Sequence, residues 1–356
     1  MNILRKALQI SLYLYAITAL CGFTTAPDII FVSNNYSGHE EISRQAINNT
    51  IKRFQSYGLD SLTSLPDFSA DLIATPRGLF GSNSKNMIIH GNFASDFPNQ
   101  TKVLSLAAFW KIPTLSNFEN PNGQVQHFLR NYKNSTTLVS ANATCLEARE
   151  NIKHVTEVAM NFWEAGDKTK ALFLFGHVTH TIQDSFSAAH TIRESAQNNY
   201  NLKNICFYGN VMGKNIEHNP RMQNEICFHD DSANSDIIWN LNATDQKTAE
   251  KEWADEKSIQ CDRSTNYPQT EEQKQNCLKH EARLARVATE KFLYIVLAHI
   301  NSFTKKTTKE FVDSLETRLF DGPVGDPELD KKMPSGIMRC EGLSNQEIYG
   351  YEPIGY

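Results

Sequence analysis

The sequence lacks an excess of basic residues, a CxxC cysteine pair and any internal repeat. Its 35 lysines and arginines stand against 40 aspartates and glutamates, which gives a formal net charge of −5. A nucleic-acid partner held by a broad basic surface is therefore not expected. No zinc ribbon or thioredoxin-type site is expected either, because both require closely spaced cysteines. Strand-like alternation of apolar and polar residues is scarce, and this favours a mainly α fold.

One long apolar stretch is present, and it lies at the N-terminus. Arg5 and Lys6 precede an apolar segment at 7–20, and small residues follow up to Ala26. This order of a basic start, an apolar segment and small residues predicts a signal peptide over residues 1–26. The protein is therefore expected to be secreted, to the periplasm or the extracellular space. No other stretch approaches the roughly 20 apolar residues that a membrane helix needs.

The cysteine count agrees with export. Lipidation of Cys21 is the alternative fate of the N-terminus, and the bulky Leu20 before it disfavours that outcome. Without Cys21, six of the 7 cysteines remain, and an even number is typical of oxidised secreted chains. Proximity in the sequence suggests three disulfides: Cys206–Cys227, Cys261–Cys277 and, from the two that remain, Cys145–Cys340.

Apolar residues recur at helical spacing in several segments, separated by connections rich in Asn, Asp, Ser and Gly. The predicted helices lie at 39–54, 147–163, 168 to about 187, and 281–303. The predicted connections are 57–101, 111–144, 191–236 and 320–356. We therefore expect a mainly α, multi-helix domain with long loops, followed by a loop-rich C-terminal tail at 320–356.

The segment GHVTHTIQDSFSAAH at 176–190 contains three histidines and one aspartate beside an apolar run. On a helix, His180 and Asp184 are four residues apart and can converge on one ion, with His177 on the same face. If the helix continues, His190 faces away from His180 and would serve a second ion. The alternative is a helix with solvated histidines. An unpaired buried charge costs several kcal/mol, so the apolar surroundings favour metal ligands.

Three parts of the sequence resemble the zinc-dependent phospholipase C family, the secreted bacterial metallophospholipases that are related to S1/P1-type nucleases. They are the run His180-x3-Asp184-x5-His190, the segment HEEISRQA from His39, and the segments GNFASDFP and QHFLRN around Asp96 and His127. The resemblance implies a single, almost entirely α-helical catalytic domain at 27–319. It also implies two to three zinc ions in a cleft.

The resemblance also implies a role for each matching residue. His127, His180 and Asp184 would hold one zinc ion. His39 would hold a second ion together with Asp184, which would then bridge the two. Asp96 would act as the base that orients or deprotonates the attacking water. Such nitrogen and oxygen ligand sets suit catalytic zinc, with positions left open for water and substrate.

The third zinc site departs from the family pattern. His190 would begin it and His229 would complete it, but no His-x3-Glu or His-x3-Asp pair follows downstream. The candidates for its acidic partner are Glu225, Asp230 and Asp231. Several relatives bind zinc through a mature N-terminal tryptophan, and this chain has no tryptophan before His39.

The activity implied is hydrolysis of the glycerol-side phosphodiester bond of phospholipids such as phosphatidylcholine, giving diacylglycerol and a phosphorylated headgroup. The partner would be a phospholipid membrane surface, with no nucleic acid expected, and the enzyme would be a monomer. An S1/P1-like nuclease or another zinc phosphodiesterase is the first alternative. A secreted helical protein without enzymatic activity is the second.

Overall fold

The computed structural model describes residues 38–72, 86–96, 124–130, 132–134, 137–187, 190–194, 198–206, 278, 280–301 and 306–349. These residues are mainly helical, as predicted. Their α-helices are α1 (Gly38–Ser56), α2 (Leu65–Ser69), α3 (Met87–Asp96), α4 (Ala141–Glu164), α5 (Lys168–Asp184), α6 (His280–Ile300), α7 (Thr308–Leu315) and α8 (Pro327–Lys332). A 3₁₀ turn covers Gln124–His127, and a π-helical turn covers Glu316–Phe320.

Five short strands form two small antiparallel sheets within the described residues. The strands are β1 (Tyr132–Asn134), β2 (Thr137–Leu138), β3 (Thr191–Arg193), β4 (Leu202–Ile205) and β5 (Ile348–Tyr349). One sheet has the order β1-β2-β5, with Leu138 opposite Ile348. The other pairs β3 with β4, with Thr191 opposite Ile205. From β4, Leu202 and Ile205 belong to the main hydrophobic core.

Helix α5 lies at the centre of the described core and packs against α3, α4 and α6. It begins cleanly because Gly166, with a φ of +84°, ends α4, and the Asp167 side chain accepts a hydrogen bond from the Lys170 amide. Every residue of the segment 171–184 is buried. Any charged group on this part of α5 must therefore find a partner inside the protein.

Helices α3 and α5 cross at two glycines. A Cβ at Gly176 would collide with the Ile88 carbonyl oxygen and would lie 2.8 Å from Gly91 Cα. A Cβ at Gly91 would collide with the Phe173 carbonyl oxygen. The absence of side chains at these two positions lets the two backbones touch. Polar side chains on either side of the crossing are thereby brought within hydrogen-bonding distance.

Helix α3 lies inside the segment 57–101, where a polar connection was predicted, as does the short helix α2. That part of the prediction was wrong for a physical reason. Residues 88–95 of α3 are buried except for His90, which is partly buried, so this stretch has no solvent-exposed face. A helix that is enclosed on nearly all sides shows no amphipathic pattern in its sequence.

The C-terminal segment from residue 320, predicted as a loop-rich tail, packs against the helices as far as it is described. Leu329, Met333 and Ile337 are buried in the main hydrophobic core. The predicted Cys145–Cys340 disulfide is present and joins the segment to α4. Cys206 is also disulfide-bonded; its predicted partner Cys227 and the predicted pair Cys261–Cys277 lie outside the described residues.

Within the described ranges, no helix has both the length and the apolar character needed to cross a membrane. The predicted signal peptide at 1–26 lies outside these ranges.

The close contact between α3 and α5 predicts that adding a methyl group at Gly176 destabilises the fold. An ordinary helical Gly→Ala substitution stabilises a protein by about 1 kcal/mol. Gly176→Ala should instead lower the free energy of unfolding by about 3 kcal/mol, because the added carbon meets backbone that cannot move aside. Urea denaturation followed by circular dichroism measures the change.

Gly58 provides the control for this substitution. Its φ is +71° and no atom lies within 4 Å of an added Cβ. Gly58→Ala should therefore cost only the backbone strain of about 1 kcal/mol. Equal losses in the two variants would contradict a close contact between α3 and α5.

Candidate metal centre

Four histidines from separate parts of the chain converge on one buried carboxylate, that of Asp184. His39 lies in the first turn of α1, His127 ends the 3₁₀ turn, and His180 lies one turn before Asp184 on α5. His190 lies in the turn between α5 and β3. The structure therefore brings together five of the seven residues that the sequence analysis assigned to metal binding and catalysis.

The two oxygens of Asp184 face different histidines. Oδ1 lies 3.2 Å from His39 Nε2. Oδ2 lies 3.0 Å from His180 Nε2, 3.3 Å from His127 Nδ1 and 3.9 Å from His190 Nδ1. One oxygen of the carboxylate thus faces a single imidazole, and the other oxygen faces the remaining three. This is the geometry that a bridging carboxylate requires.

The spacing of these atoms fits a tetrahedral metal ion. Ligand atoms at 2.0–2.1 Å from a tetrahedral zinc lie about 3.3 Å from one another. His180 Nε2 and His127 Nδ1 are 3.1 Å apart, and both are within 3.3 Å of Asp184 Oδ2, so the three atoms form one face of such a tetrahedron. His39, His180 and Asp184 also offer ligand atoms that all lie within 4.8 Å of one another, and this group could hold a metal ion.

The electrostatics of the cluster keep Asp184 ionised. Burial by itself would raise the pKa of the Asp184 carboxyl, because it disfavours the charged form. Positive charge on the rings of His180, His190 and His39, when they are protonated, and the hydrogen bond from His127 act in the opposite direction and hold its pKa well below the ordinary value. The carboxylate is therefore available as an anionic ligand at neutral pH.

His190 is closer to Asp184 than a continuous helix would place it. Helix α5 ends at Asp184, not near Ser187 as predicted, and the chain then turns back. The His190 amide donates to the Ser187 carbonyl, and the His190 carbonyl accepts from the Cys206 amide. The predicted orientation of His190 away from the Asp184 face was therefore wrong, because the helix stops before that angle applies.

The ring of His190 is held by the segment that carries His127. Its Nδ1–H donates to the backbone carbonyl of His127. Metal-binding histidines commonly donate their second ring N–H to a carbonyl or carboxylate, which fixes the ring orientation. The Arg130 amide donates to the Cys206 carbonyl, so the end of β4 holds both loops in place.

His177 has a different environment from the other histidines of its segment. Its Nδ1 lies 2.6 Å from Ser95 Oγ on α3, and its ring packs edge-on against Phe173. Burial, assisted by repulsion from His180 and two other histidines, lowers the pKa of His177 to about 3. This ring is therefore neutral, and its hydrogen bond with Ser95 turns it towards α3.

Of the remaining two predicted residues, one is described only in its backbone and the other lies outside the described residues. Asp96 is the last residue of α3, directly after Ser95, and only its backbone is described. His229 lies outside the described residues, as do its candidate acidic partners Glu225, Asp230 and Asp231. The proposed base and the third metal site stay predictions.

The sequence analysis missed Gln183, which contacts the cluster directly. His39 Nδ1 lies 2.9 Å from Gln183 Oε1. The signal was present in the sequence, because Gln183 precedes Asp184 on a helix predicted to be buried. A buried amide must find hydrogen-bond partners.

A comparison of the chain with known protein families, with curated proteins and with solved structures finds no match.

The neutral, buried state of His177 predicts a pH effect on stability. The unfolded chain binds an additional proton between the ordinary histidine pKa of 6.5 and the folded value of about 3. The His177 contribution to stability is therefore complete above pH 6.5 and is lost as the pH falls towards 3, with a slope of up to about 1.4 kcal/mol per pH unit. His177→Gln should flatten this dependence in chelator-treated protein.

Urea denaturation from pH 7 to pH 4 measures the slope for both proteins. His154, exposed on α4, provides the matched control, and His154→Gln should follow the wild-type curve. Parallel curves for wild type and His177→Gln would show that His177 is not buried in its neutral form.

Proposed function

We propose that the protein is a secreted zinc-dependent phosphodiesterase of the phospholipase C type. It hydrolyses the glycerol-side phosphodiester bond of phospholipids such as phosphatidylcholine. The observation that carries the proposal is the buried Asp184 carboxylate, with imidazole nitrogens of His39, His127 and His180 at 3.0–3.3 Å. A histidine-rich, carboxylate-bridged cluster is typical of hydrolytic centres with more than one zinc ion.

The donor set divides between the two oxygens of Asp184. One zinc ion would be held by His127, His180 and Asp184 Oδ2, and a second by His39 and Asp184 Oδ1. Imidazole and carboxylate ligands suit zinc, whereas magnesium and calcium sites are built mainly from oxygen. His190 would hold a third ion together with His229. This ligand assignment agrees with the one that the family resemblance implies.

Bound zinc ions would lower the pKa of water and withdraw charge from the phosphate oxygens. The protein would supply the remaining requirements. Asp184 stays anionic because its neighbours lower its pKa, so it offers both oxygens without prior proton loss. Asp96, at the end of α3, would accept the proton of the attacking water. The buried walls of α3 and α5 keep bulk water away from one side of the cluster.

Two further observations concern the compartment of the protein and its substrate. The Cys145–Cys340 disulfide and the bonded state of Cys206 fit an oxidising compartment. The net charge of −5 offers no broad attraction to a nucleic-acid backbone. The remaining alternative, a helical protein without enzymatic activity, gives no reason for the histidine cluster.

Metal analysis and a two-substrate assay test this proposal. Purified protein should contain two to three zinc ions per chain and should release phosphocholine from phosphatidylcholine vesicles. Phenanthroline should abolish the release, and added zinc should restore it. Protein that lacks stoichiometric zinc, or activity that survives complete zinc removal, would refute the proposal. Faster cleavage of single-stranded DNA by the same preparation would favour the nuclease alternative.

Counting zinc ions in variants tests the assignment of ligands. Asp184→Ala removes the shared carboxylate and should lower the zinc content by up to about two ions. His190→Ala should lower it by about one ion. His177→Ala should leave the zinc content unchanged, because the His177 ring faces Ser95. If His177→Ala loses an ion while His190→Ala keeps the full content, the roles of the two histidines are reversed.

A further inference from the structure

Gln183, on α5, lies beside the candidate metal centre and connects it to α1, α3 and α6. Its Oε1 lies 2.9 Å from His39 Nδ1 on α1 and 3.3 Å from Asn92 Nδ2 on α3. Its Nε2 lies 2.9 Å from Ser43 Oγ on α1 and 3.4 Å from Thr289 Oγ1 on α6. Gln183 itself is 2 % exposed. This amide is therefore fully enclosed, and its partners determine its orientation.

The orientation follows from a threonine on each side of the amide. Thr289 Oγ1 donates to the Ala285 carbonyl at 2.8 Å, so this hydroxyl oxygen can only accept from Gln183. The Gln183 atom facing Thr289 must therefore be the NH₂ group. A flipped amide would place its carbonyl oxygen against an oxygen that has no hydrogen to give.

The second threonine gives the same answer. Thr179 Oγ1 donates to the Gly176 carbonyl at 2.7 Å and accepts from Asn92 Nδ2 at 3.1 Å. The NH₂ group of Asn92 also faces Gln183, so the Gln183 atom on that side must be the carbonyl oxygen. The two threonines thus assign Gln183 Oε1 independently, from opposite ends of the network.

The assignment determines the tautomer of His39. Since Oε1 can only accept, His39 Nδ1 must carry the proton in this hydrogen bond. In the neutral ring, Nε2 is then unprotonated, and Nε2 is the atom that lies 3.2 Å from Asp184 Oδ1. The lone pair of His39 therefore points to the position of the second metal ion.

We propose that Gln183 is a positioning residue that holds His39 in the Nδ1–H tautomer, with Nε2 available to the metal. Thr179 sets the orientation of Gln183 through Asn92, and Thr289 sets it by direct contact. This inference rests on the proposed zinc centre and adds to it the device that prepares one ligand. Removing the acceptor should weaken binding of the ion at His39 by about 10- to 100-fold, the usual effect of losing such a hydrogen bond.

The test uses Gln183→Met, which keeps the length of the side chain but has no acceptor oxygen. Competition with a chromophoric chelator measures how tightly each zinc ion is held. Gln183→Met should release one ion at about 10- to 100-fold lower chelator concentration than wild type. Gln45→Met is the matched control, because Gln45 is a buried glutamine on α1 that bonds Glu41, not His39.

A second measurement on wild-type protein reads the tautomer directly. Long-range ¹H–¹⁵N spectra of histidine-labelled, zinc-loaded protein should show His39 with a protonated Nδ1. A protonated Nε2, or unchanged zinc release from Gln183→Met, would overturn the role of Gln183 while leaving the zinc centre intact. Wild-type protein that binds no zinc would instead refute the centre itself, and the inference with it.

Discussion

The interaction on which the site depends is that between the buried carboxylate of Asp184 and the imidazole rings around it. Asp184 is 1 % exposed, and an isolated ionised carboxylate at such a position would be strongly destabilising. Its partners come from α1, the 3₁₀ turn, α5 and the turn before β3, so no single element could satisfy it. The buried charge of Asp184 is therefore stable only when these segments are folded together around it.

The packing of α5 explains how so many polar groups can be brought together in the interior. Gly91 and Gly176 let α3 and α5 approach until their backbones touch. On one side of this crossing Asn92 reaches Thr179 and Gln183, and on the other Ser95 reaches His177. The same close approach thus supports two hydrogen-bonded groups with different roles, one joined to His39 and one holding a neutral histidine.

The sequence was sufficient for those parts of the site that follow from local periodicity. The four-residue spacing of His180 and Asp184 on an apolar helix predicted their convergence, and the structure brings them within 3.0 Å. The position of His190 could not be predicted in this way, because it depends on where α5 ends and on a backbone bond to Cys206. Helix α3 was missed because a helix buried nearly all round has no amphipathic signature.

Cation binding and proton binding compete at this cluster. Each ring nitrogen that faces Asp184 can hold either a proton or a metal ion, so binding of ions must release protons wherever those nitrogens carry them. A nitrogen that is already unprotonated avoids this competition. When the His39 ring is neutral, the network through Gln183 leaves Nε2 in that condition, because Nδ1 donates to a fixed carbonyl oxygen. In a neutral His190 ring, donation from Nδ1 to the His127 carbonyl likewise leaves Nε2 unprotonated. The protein thus sets the tautomer of these rings through a hydrogen bond from Nδ1 to a fixed carbonyl oxygen, and the packing of the fold holds those bonds in place.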